Sequence, residues 1–329
     1  MKKRMVSWIA AALSASMVLS MAGCAGGGDS SAAAGSSKAS PGDEGDKIRI
    51  GCSVDDLTPF MTFAVDGAQQ FADEHPNIEL VVASAQSDLT TQLSDVENFI
   101  SAGYDGVLIK PLDSEGCAPM VAACEKAGIP IVAFNNNMTA KADSYVGSDH
   151  KYSGELEAQA IADALGGKGK VVVLQGTMQH QAAIDRWEGV QEVFAKYPDI
   201  EIVDAQDANW LRDEALNKTE NWLNSGLEFD AIVATCAEMA IGSVLALKDA
   251  GYEKGEILVG SIDGLQESLE MLKEGWLCCD IYQNGNGQGY TGMETLYKLI
   301  CGETVESYVD VPYELISLDN ADDYLAMYQ

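Results

Sequence analysis

The sequence predicts an α/β protein with two doubly wound, Rossmann-like lobes. From Lys47 onward, short runs rich in β-branched residues alternate with amphipathic stretches, and this alternation continues along the whole body. Most of the short runs are almost continuously apolar, as expected for parallel strands that are buried on both faces. Ten such runs are too many for one small sheet, so we expect two lobes of about five strands each.

The predicted strands form two series along the chain. The first comprises Ile48–Val54, Ile78–Ala85, Gly106–Lys110, Ile131–Phe134 and Tyr145–Gly147, and the second comprises Lys170–Leu174, Ile200–Ala205, Ala231–Thr235, Ile257–Ile262 and Leu277–Tyr282. Helices are predicted over Phe60–Glu74, Leu89–Ser101, Tyr152–Leu165 and Ala182–Tyr197. In the last of these, Ile184, Trp187 and Val190 recur at helical spacing.

The first 46 residues are predicted to lie outside the folded body. A basic start at Lys2, Lys3 and Arg4 precedes an apolar stretch that ends in small residues before Cys24, so residues 1–24 are typical of a lipoprotein signal peptide with Cys24 lipidated. A plain signal peptide or an uncleaved anchor are the alternatives. Residues 25–46 are rich in Gly, Ser and Ala, which predicts a flexible tether. We therefore expect an extracytoplasmic body that a lipid anchors to the cell membrane.

Composition excludes several classes of partner. The chain carries 51 acidic and 20 basic residues, a formal charge of -31, which argues against nucleic acid and against charge-driven docking on an anionic membrane. The three histidines share no short spacing, so no metal site is predicted. The seven cysteines after Cys24 form no CxxC pair and are predicted to be buried free thiols.

An enzyme is the main rival interpretation, and the sequence does not favour it. There is no G-x-S-x-G nucleophile motif. The glycine-rich segment 285–289 does not match the dinucleotide-binding pattern, so no cofactor is predicted. Asp149 and Asp263 would be the candidates for an acid/base pair, and turnover of a sugar would distinguish this reading from binding alone.

Polar residues cluster directly after the predicted strands. Ligands of doubly wound sheets bind beyond the carboxyl ends of the strands. The candidates there are Asp55, Asp56, Thr58, Phe60, Asn135, Asn136, Asn137, Asp149, His150, Asn209, Trp210, Cys236, Asp263, Gln283 and Asn284. Hydroxyl groups both donate and accept hydrogen bonds, and amide and carboxylate side chains can supply the partners they need. Aromatic rings can cover the apolar faces of a pyranose. Although turns alone favour Asn and Asp, the whole set indicates a site for a polyhydroxylated small molecule.

From Lys47 to the C-terminus the chain resembles the type 1 periplasmic sugar-binding proteins, closest to the ribose- and galactose-binding group. Several local motifs occur in the order and spacing typical of that family. They are Pro59-Phe60 with Asp66-Gly67-Ala68, Gly106–Pro111 with Asp113, Gly128-Ile129-Pro130, Val146-Gly147-Ser148-Asp149, Leu174-Gln175-Gly176, Arg186 with Glu188-Gly189, Glu238-Met239-Ala240, Val259–Gly264 and Gln283.

The resemblance implies a fold and a mode of action. It implies two lobes, residues 47–149 with 284–309 and residues 150–283 with 310–329, joined by three crossings and closing on a ligand between them. It implies a non-enzymatic monomer that delivers a sugar or sugar-like molecule to an ABC permease. The alternative is that the loaded form is presented to a membrane sensor or kinase.

The resemblance also implies roles for particular residues. Phe60 and Trp210 would stack on the ring of the ligand, and hydroxyl groups would be bound by Asn135, Asp149, Arg186, Asp263 and Gln283. Two positions depart from the family pattern: Asn135-Asn136 replaces the usual Asp-Arg, and Cys236-Ala237 replaces Asn-Asp. Cys236 is nevertheless expected at the site. Because of these departures, the sequence does not identify the sugar.

Overall fold

The structure of the protein is a computed structural model that describes residues 47–328. The predicted signal peptide, the lipidation site at Cys24 and the tether over 25–46 lie outside the described residues. Within 47–328, no helix is long and apolar enough to cross a membrane.

The N-terminal lobe is built on a six-stranded sheet in which every pair of neighbours is parallel. Its strands are β1 (Ile48–Val54), β2 (Ile78–Ser84), β3 (Gly106–Ile109), β4 (Ile131–Phe134), β5 (Ser144–Gly147) and β12 (Tyr308–Asp310), in the order β12-β5-β4-β3-β1-β2. The four residues of β3 and of β4 are all buried, because helices cover both faces of the sheet.

The C-terminal lobe contains a parallel four-stranded sheet and a three-stranded sheet. The first has the order β7-β6-β8-β9, from β6 (Lys168–Gln175), β7 (Asp199–Asp207), β8 (Ala231–Ala234) and β9 (Leu258–Val259). The second has the order β10-β11-β13, from β10 (Ile262–Asp263), β11 (Asp280–Tyr282) and β13 (Glu314–Ile316), and β13 runs antiparallel to β11.

Ten α-helices and one short 3-10 turn, Ala326–Tyr328, accompany the strands in the described residues. The helices are α1 (Pro59–Glu74), α2 (Leu89–Ser101), α3 (Ala118–Ala127), α4 (His150–Ala164), α5 (Gln181–Phe194), α6 (Arg212–Ser225), α7 (Ala237–Asp249), α8 (Gln266–Glu274), α9 (Gly285–Ile300) and α10 (Ala321–Leu325). Several begin with a capping side chain: the Thr58 hydroxyl accepts from the Met61 N–H, and the Asp88 carboxylate accepts from the Thr91 N–H.

The predicted fold class, two α/β lobes with parallel sheets, is confirmed. The detail differs at the end of the second series, where the predicted strand Ile257–Ile262 is two short strands, β9 and β10. They are separated by Gly260 and Ser261, and a Cβ added at Gly260 would lie 2.7 Å from the Glu157 carboxylate on α4, so the helix approaches the backbone closely at this point. The strands β12 and β13 were not predicted, since each has only three residues and too short an apolar pattern to detect.

The chain passes between the two lobes at three places. It leaves the N-terminal sheet after β5 and enters α4, it returns between β11 and α9, and it crosses again in the segment 311–313 between β12 and β13. Helix α9 packs with α1 in the N-terminal lobe, where Met293 and Leu296 join the apolar cluster around Phe134. The ends of β5, β11 and β12 therefore meet at the boundary between the lobes.

Candidate functional site

A cavity with an empty volume of ≈ 590 Å³ lies beyond the carboxyl ends of the strands, between the two lobes. The N-terminal lobe lines it with Asp55, Thr58, Phe60, Met61, Lys110, Asn135 and Asn136. The C-terminal lobe lines it with His150, His180, Ala182, Arg186, Trp210, Cys236, Glu238, Asp263 and Gln283. Both lobes thus contribute side chains to one site, at the edge where ligands of doubly wound sheets bind.

Most of the residues predicted from the sequence meet in this cavity. Those that line it are Phe60, Asn135, Arg186, Trp210, Cys236, Asp263 and Gln283. Asp149 does not line it, and its role as a ligand-binding residue stays a prediction. Its carboxylate accepts a hydrogen bond from the Tyr152 N–H at 3.1 Å and caps helix α4, a position that favours Asp on its own account. Asp149 and Asp263 therefore do not form an acid/base pair across one cavity.

Arg186 is the buried cation of the site, with only 3% of its surface exposed. Its Nη1 donates to the carbonyl oxygen of Thr235, and its Nη2 donates to Gln283 Oε1 at 2.7 Å and to the Tyr313 hydroxyl at 2.9 Å. Helix α5 positions the side chain by burying the face that carries Arg186 and Gly189 against α4. Three acceptors therefore hold the guanidinium rigidly beside the cavity.

The buried side-chain atoms of the site that have no hydrogen-bond partner within residues 47–328 include two donors on adjacent side chains. They are Arg186 Nε and Gln283 Nε2, which belong to side chains already joined by the Nη2–Oε1 hydrogen bond. An unpartnered buried donor costs about 1–3 kcal/mol, so such groups are rare unless a ligand or water completes them. Both are therefore available to acceptor atoms of a bound molecule.

Asp263 adds a buried acceptor to the same cavity. Its Oδ2 accepts from the Ala237 N–H at 3.1 Å, and the residue is 6% exposed. Burial raises the pKa of Asp263 to about 7, and the attraction of Arg186 opposes that rise. The free carboxylate lone pairs can accept from ligand hydroxyl groups.

Three of the lining residues have a positive φ, which is costly for residues other than glycine. The angles are 62° at Asn135, 64° at Trp210 and 125° at Asp263. Backbone in such regions costs roughly 1–3 kcal/mol per residue and persists where the surrounding structure enforces it. Each of the three follows or ends a strand, so the strained backbone aims these residues at the cavity.

Trp210 is half-buried and is held by contacts on two sides. Its Nε1 donates to His180 Nδ1 at 2.9 Å, and the Arg186 guanidinium lies 5.5 Å from the ring centroid. The ring lies against Gly176, where an added Cβ would be 2.0 Å from the indole. Only glycine leaves room for this ring position. Phe60 reaches the cavity from the first turn of α1 in the other lobe.

The sequence analysis did not predict two features of the site, the buried ion pair of Lys110 with Asp55 and the presence of His180. Lys110 at the end of β3 forms a salt bridge and hydrogen bond with Asp55, and His180 Nε2 lies 3.6 Å from the same carboxylate. Burial, and then Lys110, lower the pKa of His180 to about 2. Asp55 follows a strand and was a candidate, whereas Lys110 was predicted as the last residue of a strand. The sequence feature that could have identified Lys110 as a site residue is the presence of a basic residue in the otherwise apolar run Gly106–Pro111.

The side-chain amide of Asn136 joins the N-terminal lobe to helix α5 of the C-terminal lobe. Asn136 Oδ1 accepts from the Ala182 N–H in the first turn of α5, and its Nδ2 donates to the Pro111 carbonyl oxygen. His180 occupies the N-cap position of α5 without forming a side-chain cap. The helix therefore receives its cap from the opposite lobe.

Comparison with known proteins agrees with this architecture. Residues 50–304 match the family described as periplasmic binding protein domain. The chain belongs to this family. The family consists of non-enzymatic substrate-binding proteins, so the prediction that the chain is not an enzyme is confirmed.

Individual relatives cover most of the chain. It is 38% identical over 279 residues to a xylitol-binding protein of Mycolicibacterium smegmatis, covering 84% of this chain and 79% of the relative. It is 32% identical to a ribose import binding protein of Haemophilus influenzae, covering 83% and 91%. A solved ABC transporter solute-binding protein from Bacillus halodurans with bound myo-inositol superposes with a TM-score of 0.83 at 35% identity, covering 86% and 99%.

Proposed function

We propose that the protein captures a neutral polyhydroxylated molecule, a sugar or a cyclitol, between its two lobes and delivers it to an ABC import system. The unpartnered donors Arg186 Nε and Gln283 Nε2, placed beside the Asp263 carboxylate, are the observation that carries this proposal. Hydroxyl groups both donate and accept, so a polyol satisfies these donors and this acceptor together. A ligand without hydroxyl groups would leave these buried polar groups unpaired and would therefore bind with lower affinity.

The charges around the cavity favour a ligand without net charge. Lys110 is paired with Asp55, and Glu238 is paired with Arg212, whose Nε and Nη2 donate to the two carboxylate oxygens at 2.9 and 3.1 Å. The remaining cation, Arg186, and the remaining carboxyl group, Asp263, attract each other within the site. A charged ligand would add an unpaired charge to a buried site, which is costly.

Two aromatic side chains support a ring-shaped ligand. Phe60 and Trp210 line the cavity from opposite lobes, so both contact one ligand only while the lobes are together. We propose that they cover the two faces of a sugar or cyclitol ring, and that Asn135 and Cys236 complete the lining. The names of the relatives, which include xylitol and ribose, and the myo-inositol bound to the Bacillus halodurans protein support the same ligand class.

We further propose that lobe closure and membrane attachment follow the sequence predictions. The lobes, residues 47–149 with 284–309 and residues 150–283 with 310–329, would rotate about the three crossings, and lipidated Cys24 would tether a monomeric body through residues 25–46. Metabolic labelling of the wild type and of Cys24→Ser with a fatty-acid analogue tests the lipid. Co-purification from membranes with a permease, rather than with a sensor kinase, distinguishes import from the alternative of sensing.

Calorimetry with matched ligands tests the binding proposal. Myo-inositol, xylitol and D-ribose are titrated beside D-glucuronate and D-glucosamine, which add one negative and one positive charge to the same kind of ring. We expect at least one neutral polyol to bind and both charged rings to bind at least about 30-fold more weakly than the best neutral one. The proposal would be contradicted if a charged ring bound more tightly than every neutral polyol, or if no neutral polyol bound at all.

A further inference from the structure

A chain of hydrogen bonds connects the binding residues of the two lobes through the hinge. Arg186 Nη2 lies 2.9 Å from the Tyr313 hydroxyl, that hydroxyl lies 2.7 Å from His150 Nδ1, and His150 Nε2 lies 2.7 Å from the carbonyl oxygen of Asn135. We name these four residues the hinge relay. Apart from the bond that Tyr313 accepts from Arg186, none of the roles assigned above to the cavity requires His150 or Tyr313.

The direction of every bond in the hinge relay is determined by its two ends. Arg186 only donates and the Asn135 carbonyl only accepts. The Nε2 atom of His150 must therefore carry the proton, which leaves Nδ1 as an acceptor for the Tyr313 O–H. The Tyr313 oxygen in turn accepts from Arg186. The chain of bonds is complete only with a neutral imidazole in the Nε2–H form.

The hinge relay joins segments that move relative to each other when lobes rotate. His150 is the first residue of α4, directly after the crossing from β5, and Tyr313 lies in the crossing between β12 and β13. Asn135 belongs to the N-terminal lobe, where its φ of 62° is strained, and Arg186 belongs to the C-terminal lobe. The two histidine bonds thus fix the carbonyl of one binding residue relative to the guanidinium of the other.

We propose that His150, through Tyr313, is a positioning residue that holds Arg186 and Asn135 in their binding geometry only while its imidazole is neutral, so that acidification releases the ligand. The proposal rests on the proposed function, because it concerns retention of the polyol between the closed lobes. It assigns to the hinge a control on affinity that acts through the positions of Arg186 and Asn135.

The surroundings of His150 oppose a second proton on the ring. Burial, and then the Arg186 guanidinium, lower its pKa to about 3. The other titratable or charged side chains near it or in the same cavity are Lys110 at the end of β3, Tyr145 on β5, Tyr313, His180, Cys236, Asp55, Glu238 and Asp263, and an adjoining pocket adds Asp149, Asp185 and Tyr308. None of these carboxylates accepts from the ring in this structure, and Lys110 adds a second positive charge nearby. A protonated His150 would also turn Nδ1 into a donor facing a hydroxyl that already accepts from Arg186.

The sign and size of the expected pH effect follow from linkage. A ring freed by lobe opening has the ordinary histidine pKa of about 6.5, so the open form binds a proton that the closed form excludes, and affinity falls as pH falls below that value. The neutral fraction of such a ring drops by about 25-fold between pH 7 and pH 5. Affinity should lose about the same factor through His150 alone.

The test compares the full-length wild type with His150→Gln, whose amide can still donate and accept but does not titrate. Kd is measured by calorimetry from pH 7 to pH 5 with whichever of myo-inositol, xylitol or D-ribose binds the wild type. We expect the ratio of wild-type Kd to variant Kd to rise by about 25-fold over this range. Contributions from Asp263 and His180 are common to both proteins and cancel in the ratio. His75→Gln, which changes a half-buried histidine at the end of α1, is the matched control and should follow the wild type.

A ratio for His150→Gln that stays constant within about threefold would overturn the proposal. A second measurement needs no ligand: the imidazole nitrogen resonances of His150 report its tautomer in the full chain, and Tyr313→Phe should shift the Nδ1 resonance because it removes the donor. An unchanged Nδ1 resonance, or a ring with the proton on Nδ1, would also overturn the hinge relay. Failure of every neutral polyol to bind the wild type refutes the proposed function alone, since the ligand-free measurement still decides the relay.

Discussion

Replacing Arg186 by Gln removes the most extensively bonded polar group of the cavity. The shorter amide cannot span to the Thr235 carbonyl, Gln283 Oε1 and the Tyr313 hydroxyl, so three charge-assisted hydrogen bonds are lost together. Loss of one partner from such a buried network costs about 2–5 kcal/mol in binding. Affinity for the polyol should therefore fall by between about 30-fold and about 5,000-fold.

Calorimetric titration with the best-binding neutral polyol measures this loss, and thermal unfolding of the ligand-free protein checks that the variant folds. Arg49→Gln is the matched control, because Arg49 is the same residue type on the opposite lobe, partly exposed and bonded to the Ala102 carbonyl oxygen outside the cavity. We expect Arg49→Gln to bind like the wild type. A loss below about threefold for Arg186→Gln in a folded protein would refute the placement of Arg186 at the ligand.

Three further substitutions probe the site and the core. Trp210→Ala should weaken polyol binding by about two- to tenfold. Because the ring is half-buried, the free energy of unfolding measured by calorimetry should fall by less than the ~3 kcal/mol typical of a core Trp. A larger loss of stability would contradict the stacking role. Gly176→Ala should weaken polyol affinity to a similar degree in the same titration, since its Cβ would displace the indole, and unchanged affinity would argue against this packing. Burial raises the pKa of Glu157 to about 8 from 4.5, so its contribution to stability is lost as pH rises between these values. The stability of Glu157→Gln relative to the wild type should therefore increase from pH 5 to pH 8 in chemical denaturation, and a constant difference would show that the carboxyl does not titrate there.

The general architecture and most of the cavity were predictable because both depend on local pattern. Buried parallel strands leave continuous apolar runs, and the rule that ligands lie beyond their carboxyl ends selects Asn135, Trp210 and Asp263 without any three-dimensional information. Asp149 follows the same rule but does not line the cavity, since capping a helix favours the same residue type at the same place.

The remaining features depend on contacts between distant segments, which leave no pattern in the sequence. Tyr313 lies in a short segment between two three-residue strands, and its importance arises only because that segment passes between His150 and Arg186. Lys110 was predicted only as the last residue of an apolar strand, and its partner Asp55 lies 55 residues away in the sequence. Spacing alone carries no information about which loops meet.

The edge position of β12 in the N-terminal sheet has a consequence for how the chain folds. Tyr308 of β12 pairs with Tyr145 of β5, and α9 packs on α1, so the first lobe takes its last strand and a covering helix from segments made after nearly all of the second lobe. Pairings between such distant segments close large loops and slow folding. During synthesis the first lobe therefore stays incomplete, with the face of α1 that receives α9 exposed, until residues beyond 308 emerge. A chain truncated after residue 283 should behave as an unfinished domain that aggregates, rather than as an isolated, stable lobe.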